Sequence, residues 1–148
     1  MGVTERDEPH AGGREDSARR REDLIRETFD RWSKGDYEPW TEAIHPQAEV
    51  VSQLVNRVYH GYAGIREWAA EVLDSFDEWE AAIAETVEAP GDRLLVIGRV
   101  HMRGRGSGVD LEVPCAWLFD FLEGRMARME IFINRTEEAH AAAGLRSD

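Results

Sequence analysis

The residues of this sequence best suited to chemistry are Arg99 and His101, which stand two positions apart in a stretch predicted as a β-strand, residues 93–103. Side chains two positions apart on a strand lie on the same face of the sheet. If that face meets a cavity, His101 is the best available general base, because imidazole has an ordinary pKa of about 6.5. Arg99 could then bind an anionic or carbonyl group. The alternative phase of the strand keeps the charges outside and turns four other residues inward: Val96, Gly98, Val100 and Met102.

Histidine and cysteine patterns give no sign of a metal site. No two of the 5 histidines have metal-ligand spacing, and the single cysteine cannot build a structural zinc site. We therefore expect no metal and no cofactor. Cys115 falls on the apolar face of a predicted strand, which favours a buried thiol over a nucleophile that would need a basic neighbour.

Tryptophan is the other informative residue type, with 5 in the chain. An indole N–H inside an apolar wall usually needs a hydrogen-bond partner, so a tryptophan that faces a cavity suits a flat, hydrophobic ligand. Trp117 on a predicted strand, with Trp32 or Trp68 on predicted helices, could line such a pocket. Each tryptophan is also explained as a core residue.

Apolar spacing predicts the elements that would position these residues. Helical spacing and capping residues predict four helices: residues 17–34, 36–44, 61–76 and 136–143. Alternation of apolar and polar residues predicts strands at residues 48–58, where the end folds back as a loop, and at 79–89 and 93–103. Three glycines make residues 104–108 a loop between strands.

Residues 109–135 are predicted to form a β-hairpin with its turn at Glu123–Gly124. One face of its first strand is entirely apolar: Leu111, Val113, Cys115, Trp117, Phe119 and Phe121. The matching face of its second strand carries Ala127, Met129, Ile131 and Ile133. These two sets predict one continuous apolar wall.

Helices followed by consecutive strands predict an α+β fold in which a curved antiparallel sheet packs against N-terminal helices. Such a sheet would leave an opening at one end. Residues 1–17 contain almost no apolar side chains, so we expect a disordered leader followed by a single domain at residues 18–148.

Charge and composition exclude several classes of function. The formal net charge of −12 argues against a nucleic-acid-binding surface and against binding to an anionic membrane. No apolar run approaches the roughly 18 residues of a membrane span, and the N-terminus lacks the apolar segment of a signal peptide. With a single cysteine, no disulfide can form within the chain, which fits a reducing cytoplasm.

Five short motifs, in this order and at these spacings, resemble the nuclear transport factor 2-like fold, and in particular its SnoaL-like branch. The resemblance covers about residues 20–145. Its motifs are Lys34-Gly35-Asp36, His45-Pro46-Gln47-Ala48, Tyr59-His60-Gly61 before Ile65-Arg66-Glu67-Trp68, Glu123-Gly124-Arg125, and Ala141-Ala142-Ala143-Gly144-Leu145.

The resemblance implies a cone-shaped cavity between the curved sheet and the helices, used for small apolar molecules, and a homodimer. Ketosteroid isomerase has this fold, and its catalytic positions can be compared with this sequence. Its proton-shuttle aspartate falls on Ser52, its oxyanion-hole tyrosine on Thr28, and its second oxyanion-hole acid on or near Trp117. Because serine and tryptophan cannot supply the base, steroid isomerisation by that mechanism is not expected.

Two hypotheses of function follow. The first is a binding or sensing module with an apolar pocket for a small molecule, which we favour. The second is an isomerase, cyclase or hydrolase acting on a cyclic carbonyl or polyketide-like compound, with His101 as the base and Arg99 as its anion partner. In both, the residues expected to line the pocket are Trp32, Ser52, Tyr59, Trp68, Trp117, Met129 and Ile131.

Overall fold

A computed structural model describes the backbone of residues 2–52 and 56–145 and the side chains of residues 17–52 and 56–145. Three helices are α1 (Gly2–Ser33), α2 (Gly61–Ser75) and α3 (Thr136–Ala142). The strands are β1 (Ile44–Ser52), β2 (Arg57–His60), β3 (Phe76–Ala89), β4 (Arg93–Gly104), β5 (Asp110–Leu122) and β6 (Arg125–Ile133). The predicted α+β class is confirmed.

The strands form one sheet in the order β2-β1-β6-β5-β4-β3. Neighbouring strands are antiparallel except β1 and β6, which are parallel. The four strands β3 to β6 follow one another in sequence and in space, as short connections predict. In the part of the chain that the structure describes, no helix is long and apolar enough to cross a membrane.

Helices cover both faces of the sheet. On the inner face, α1 and α2 bury a large core in which Ile25, Phe29 and Trp32 supply the stripe of α1. On the outer face, α3 packs against β4, β5 and β6 over a smaller core: Leu95, Ala116, Leu118, Phe132, Ala139 and Ala143. The predicted hairpin is therefore apolar on both faces at its centre, where the prediction gave it only one apolar wall.

The short second helix predicted for residues 36–44 is wrong. The Trp40 carbonyl accepts hydrogen bonds from the backbone N–H groups of Ala43 and Ile44, at 2.9 and 2.8 Å, and this turn leads directly into β1. Ile44 pairs with Met126 of β6 and is 3% exposed, so sheet pairing and burial outweigh the helical pattern. Pro46 is tolerated in β1 because the register of the ladder shifts between Ile44 and Glu49.

The first strand is shorter than predicted, and a separate strand follows it. β1 ends at Ser52, and β2 runs back beside it with Val50 opposite Tyr59 and Ser52 opposite Arg57. The expected return of the chain near residue 58 is thus present as a strand. It brings Tyr59 and Ser52 to the same face of the sheet.

The backbone of residues 2–17 is helical and forms the first part of α1, which begins at Gly2. Composition predicts disorder there from the lack of apolar residues. The disordered leader stays a prediction, because Pro9, Gly12 and Gly13 stand in this stretch and each of them disfavours a helix. The proposed domain boundary at residue 18 stays a prediction.

A change of register in the hairpin alters one face of β6. Asp120 pairs with Arg128 whereas Phe121 pairs with Met126, so β6 has an extra residue between these pairs. Beyond this bulge, Met126 takes the core position predicted for Ala127 and is 2% exposed. Met129 and Ile131 remain in the core as predicted.

Candidate functional site

A pocket lies at one end of the inner face, where β1, β2 and β6 meet the C-terminal half of α2 and the start of β3. Its volume is about 70 Å³, which is room for a few water molecules or for one end of an organic ligand whose remainder lies in the open mouth. The residues around it are Ser52, Tyr59, Trp68, Glu71, Val72, Ser75, Phe76, Trp79, Ile131 and Ile133.

The walls of this pocket are mostly aromatic and aliphatic. Trp68 and Val72 come from the buried stripe of α2, while Phe76 and Trp79 come from the first residues of β3. The rings of Phe76 and Trp79 pack against each other with their centroids 5.4 Å apart. An apolar molecule that enters would therefore exchange water for ring faces and methyl groups.

Tyr59 and Glu71 form the polar end of the pocket. The Tyr59 hydroxyl donates a hydrogen bond to Glu71 Oε2, and Arg57 Nη1 donates to Glu71 Oε1 at 2.8 Å. Arg57 also pairs with Glu67, one turn earlier on α2. The Arg57 guanidinium lies over the Tyr59 ring, 4.6 Å from its centroid. Both oxygens of the Glu71 carboxylate are thus engaged by neighbouring side chains.

Burial raises the pKa of the Tyr59 phenol above its usual value of 10.0, and the hydrogen bond to the Glu71 carboxylate raises it further. Desolvation disfavours the phenolate, and the adjacent negative charge acts in the same direction. At neutral pH, Tyr59 is consequently a protonated donor whose hydroxyl points at Glu71.

The deeper part of the inner face is filled by an aromatic core. Phe29 lies 4.9 Å from Trp117 and 5.1 Å from Trp32 between ring centroids, and Trp32 lies 5.4 Å from Trp68. Trp117 is 2% exposed. The pocket lies beside this core, and Trp68 belongs to both.

The seven predicted lining residues divide along this boundary. Four of them surround the pocket: Ser52, Tyr59, Trp68 and Ile131. The other three are core residues that do not line this pocket: Trp32, Trp117 and Met129. All three are buried in the inner core, and their role in lining a cavity stays a prediction.

The three residues that align with the catalytic residues of ketosteroid isomerase lie in different surroundings in this chain. Ser52 is 8% exposed and lines the pocket, while Trp117 lies in the aromatic core. The Thr28 hydroxyl donates to the carbonyl of Leu24 at 2.8 Å, within its own helix. The three positions therefore do not form a set of donors and a base around one bound carbonyl.

Arg99 and His101 lie on the outer face of the sheet, away from the pocket. Gly98 pairs with Cys115 and Val100 with Val113, so these residues of β4 face the inner core and the charged residues face outward. Val96, Val100 and Met102 belong to the inner core, which confirms the alternative phase. Arg99 instead pairs across strands with Glu112 at 2.7 Å. The interpretation in which Arg99 and His101 meet the cavity is corrected by this register.

His101 does belong to a group that has ligand types for a metal ion. His101, Glu78 and Asp110 offer donor atoms within 4.8 Å of one another on three adjacent strands. Arg103 pairs with both carboxylates, at 3.3 Å to Glu78 and 3.1 Å to Asp110. The guanidinium already supplies the positive charge that a metal would bring, so this cluster is explained as an outer-face ion-pair network.

Cys115 is fully buried, and burial raises the pKa of its thiol to about 12. At pH 8 the thiol is therefore neutral, and iodoacetamide requires the thiolate. We expect the native protein to stay unlabelled by iodoacetamide at pH 8, while the same protein in 8 M urea is labelled at the rate of a free cysteine. Mass spectrometry after timed quenching measures both rates. Fast labelling of the folded protein would show that Cys115 is accessible.

Sequence reasoning missed several pocket residues, above all Glu71 and Trp79. Glu71 stands three residues after Trp68 and four after Glu67, so helical spacing does place it beside the buried stripe of α2. Trp79 lies on the predicted inner side of its strand. No local pattern shows that Glu71 and Trp79 meet the same cavity, because their proximity depends on how the sheet curves past α2.

Comparison with known proteins identifies a family that matches most of this chain. The sequence profile of a family described as a SnoaL-like domain matches residues 25–129. Among curated proteins, no significant match is found.

Three solved structures illustrate the likeness in fold. TerC, crystallised with polyporic acid, is 22% identical with a TM-score of 0.70 and covers 84% of this chain and 98% of its own. An NTF2-like protein of unknown function from Burkholderia pseudomallei K96243 is 18% identical with a TM-score of 0.70, covering 84% of this chain and 97% of its own. Bal32a, from a soil-derived mobile gene cassette, is 18% identical with a TM-score of 0.71, covering 88% and 99%.

Proposed function

Because this chain belongs to the SnoaL-like domain family, we propose that it binds a small, largely apolar molecule in the pocket between Trp68 and Trp79. The observation that carries this proposal is the pocket itself, whose apolar walls end in the Tyr59–Glu71 pair. A site of this kind gains affinity from the walls and orientation from a few polar groups. The homodimer implied by the resemblance is part of the same proposal.

The polar end supports a preference for ligands with one polar group on an apolar body. Ser52 and Ser75 bring hydroxyl groups to the pocket, and Tyr59 and Glu71 bring a phenol and a carboxylate. Ser52 and Tyr59 are buried beside the rings, so a ligand that covers their hydroxyl groups gains by presenting a matching polar group. Glu71 and Ser75 are exposed to solvent.

Turnover is a second candidate, since Glu71 brings a carboxylate to the pocket wall. In this version the substrate is a cyclic carbonyl or polyketide-like compound, and Glu71 takes the role of base that sequence analysis gave to His101. Arg57 and Tyr59 already hold both oxygens of Glu71, which leaves it less free to accept a proton. Binding is accordingly the function that the geometry supports best.

The test of binding uses tryptophan fluorescence with a panel of steroids and aromatic polyketides. We expect at least one member to quench or shift the emission in a saturable way, because two of the five tryptophans line the pocket. Trp79→Phe keeps an aromatic wall and should remove a large part of the ligand-dependent signal.

Trp40→Phe is the matched control, because Trp40 packs against the Arg31 guanidinium at 4.1 Å and does not line the pocket. It should lower the total emission and leave the ligand-dependent change in place. If no member of the panel alters the emission of the wild-type protein, the proposal of an aromatic pocket for these compounds is lost.

A further inference from the structure

We propose, resting on the proposed function, that the ligand of this pocket is a small organic cation: an ammonium group that carries apolar substituents. The pocket combines an aromatic enclosure with a surplus of negative charge at its polar end. Neither feature alone would select a cation. Their joint presence within one cavity sets the class of ligand.

The aromatic enclosure consists of four rings, from Tyr59, Trp68, Phe76 and Trp79. The face of an aromatic ring carries negative electrostatic potential, and a cation above it is attracted, most strongly when water is excluded. A cation with methyl or methylene groups around its nitrogen also buries apolar surface against the same rings. Such a ligand would use both properties of the walls.

Charge at the polar end favours a cation as well. The Arg57 guanidinium pairs with both Glu67 and Glu71, so this group of three holds two negative charges and one positive. Within the described part of the chain, no lysine or arginine is among the residues that line the pocket. A carboxylate ligand would therefore meet Glu71, whose neighbouring Arg57 also pairs with Glu67, and would be repelled by the net negative charge of the group, whereas a cation would be attracted by it.

The hydrogen bonds of Glu71 narrow the class further. Both carboxylate oxygens already accept hydrogen bonds, from Arg57 and Tyr59. A quaternary ammonium has no N–H to donate, so it needs charge nearby and not an unoccupied acceptor. The position of Arg57, stacked on the Tyr59 ring, shows that a delocalised cation is already accommodated at the edge of this site.

The experiment compares choline with 3,3-dimethylbutan-1-ol, which has the same shape with carbon in place of the charged nitrogen. Binding of each to the full chain is measured by tryptophan fluorescence and by isothermal titration calorimetry at low salt. We expect choline to bind at least about tenfold more tightly than the neutral alcohol. Glu71→Gln should remove most of that difference between the two ligands.

Glu38→Gln is the matched control. Glu38 lies outside the pocket and pairs at 2.6 Å with Arg66 of α2, the helix that also carries Glu71. It should preserve the preference for choline. Circular dichroism checks that both variants are folded. If Glu71→Gln does not fold, the comparison of the two ligands on the wild-type protein still decides the proposal.

The outcomes separate this inference from the proposed function. Equal affinity for choline and the alcohol, or tighter binding of the alcohol, overturns the inference and leaves an apolar pocket in place. If neither choline nor the alcohol binds but a steroid or polyketide of the panel does, the inference is likewise overturned and the apolar pocket stays in place. Failure of both ligands and of the whole panel overturns the inference and the proposed function together.

Discussion

Replacing Trp117 with alanine is expected to lower the free energy of unfolding by about 3–5 kcal/mol. The Trp117 side chain is among the largest fully buried ones and contacts the Phe29 ring edge-on at a centroid distance of 4.9 Å. Its removal leaves a cavity among rings that cannot close without moving α1. Urea denaturation followed by circular dichroism measures the change.

Trp40→Ala is the control, since Trp40 is only partly buried and packs against the edge of the core and Arg31. It should cost about 1–2 kcal/mol. If Trp117→Ala is too unstable to purify, Trp117→Leu gives a smaller loss in the same direction. A loss for Trp117→Ala no greater than for Trp40→Ala would mean that Trp117 faces an empty cavity and not a filled core.

Gly98→Ala is expected to destabilise the protein by about 3 kcal/mol or more, which is large for the addition of one methyl group. A Cβ at Gly98 would lie 1.9 Å from the carbonyl oxygen of Ala82 on the neighbouring strand β3. Backbone atoms cannot move aside as a flexible side chain can. The β3–β4 pairing would therefore have to open beside the register shift at Ile83 and Glu85.

Gly104→Ala is the matched control on the same strand. Its Cβ would meet the hydroxyl of Ser107 at 2.6 Å, and that side chain can rotate away. The control should cost less than about 1 kcal/mol. The midpoints of thermal unfolding of both variants give the comparison, and equal losses would contradict the close approach of β3 and β4.

The architecture could be predicted from the sequence wherever one periodicity dominated. The stripe of Ile65, Trp68, Ala69 and Val72 gives α2 almost to the residue, and the turn at Glu123–Gly124 gives the hairpin. Prediction failed for residues 36–44, where a helical pattern of one turn competes with pairing to β6. Local propensity is a weak determinant there because Ile44 gains both a ladder partner and burial.

The phase of β4 could not be predicted, for a physical reason that the structure makes plain. Its first half has apolar residues on both faces, with Leu94 and Val96 inside and Leu95 and Ile97 against the α3 side. Alternation assigns a face only when the two faces differ in polarity. Because helix α3 covers the outer face, both faces of this half of β4 are apolar and do not differ in polarity. The sequence of β4 is therefore equally compatible with Arg99 and His101 on the inner or on the outer face.

The site was predicted in part, because the sequence identifies residue types that suit a pocket but not the boundary between pocket and core. From the sequence alone, Trp32, Trp68 and Trp117 are each equally compatible with a pocket wall and with the core. In the structure, Trp68 touches both the aromatic core and the pocket, whereas Trp32 and Trp117 lie in the core. Filling the deep end with rings leaves the site near Tyr59, Glu71 and Trp79.

A crystal structure of the protein with its tightest-binding ligand tests this account most directly. The account predicts that the ligand lies between Trp68 and Trp79, with its polar or charged end next to Glu71, and that the rings of Phe29, Trp32 and Trp117 keep their positions. A ligand that lies among Phe29, Trp32 and Trp117, or on the outer face beside His101, would contradict it.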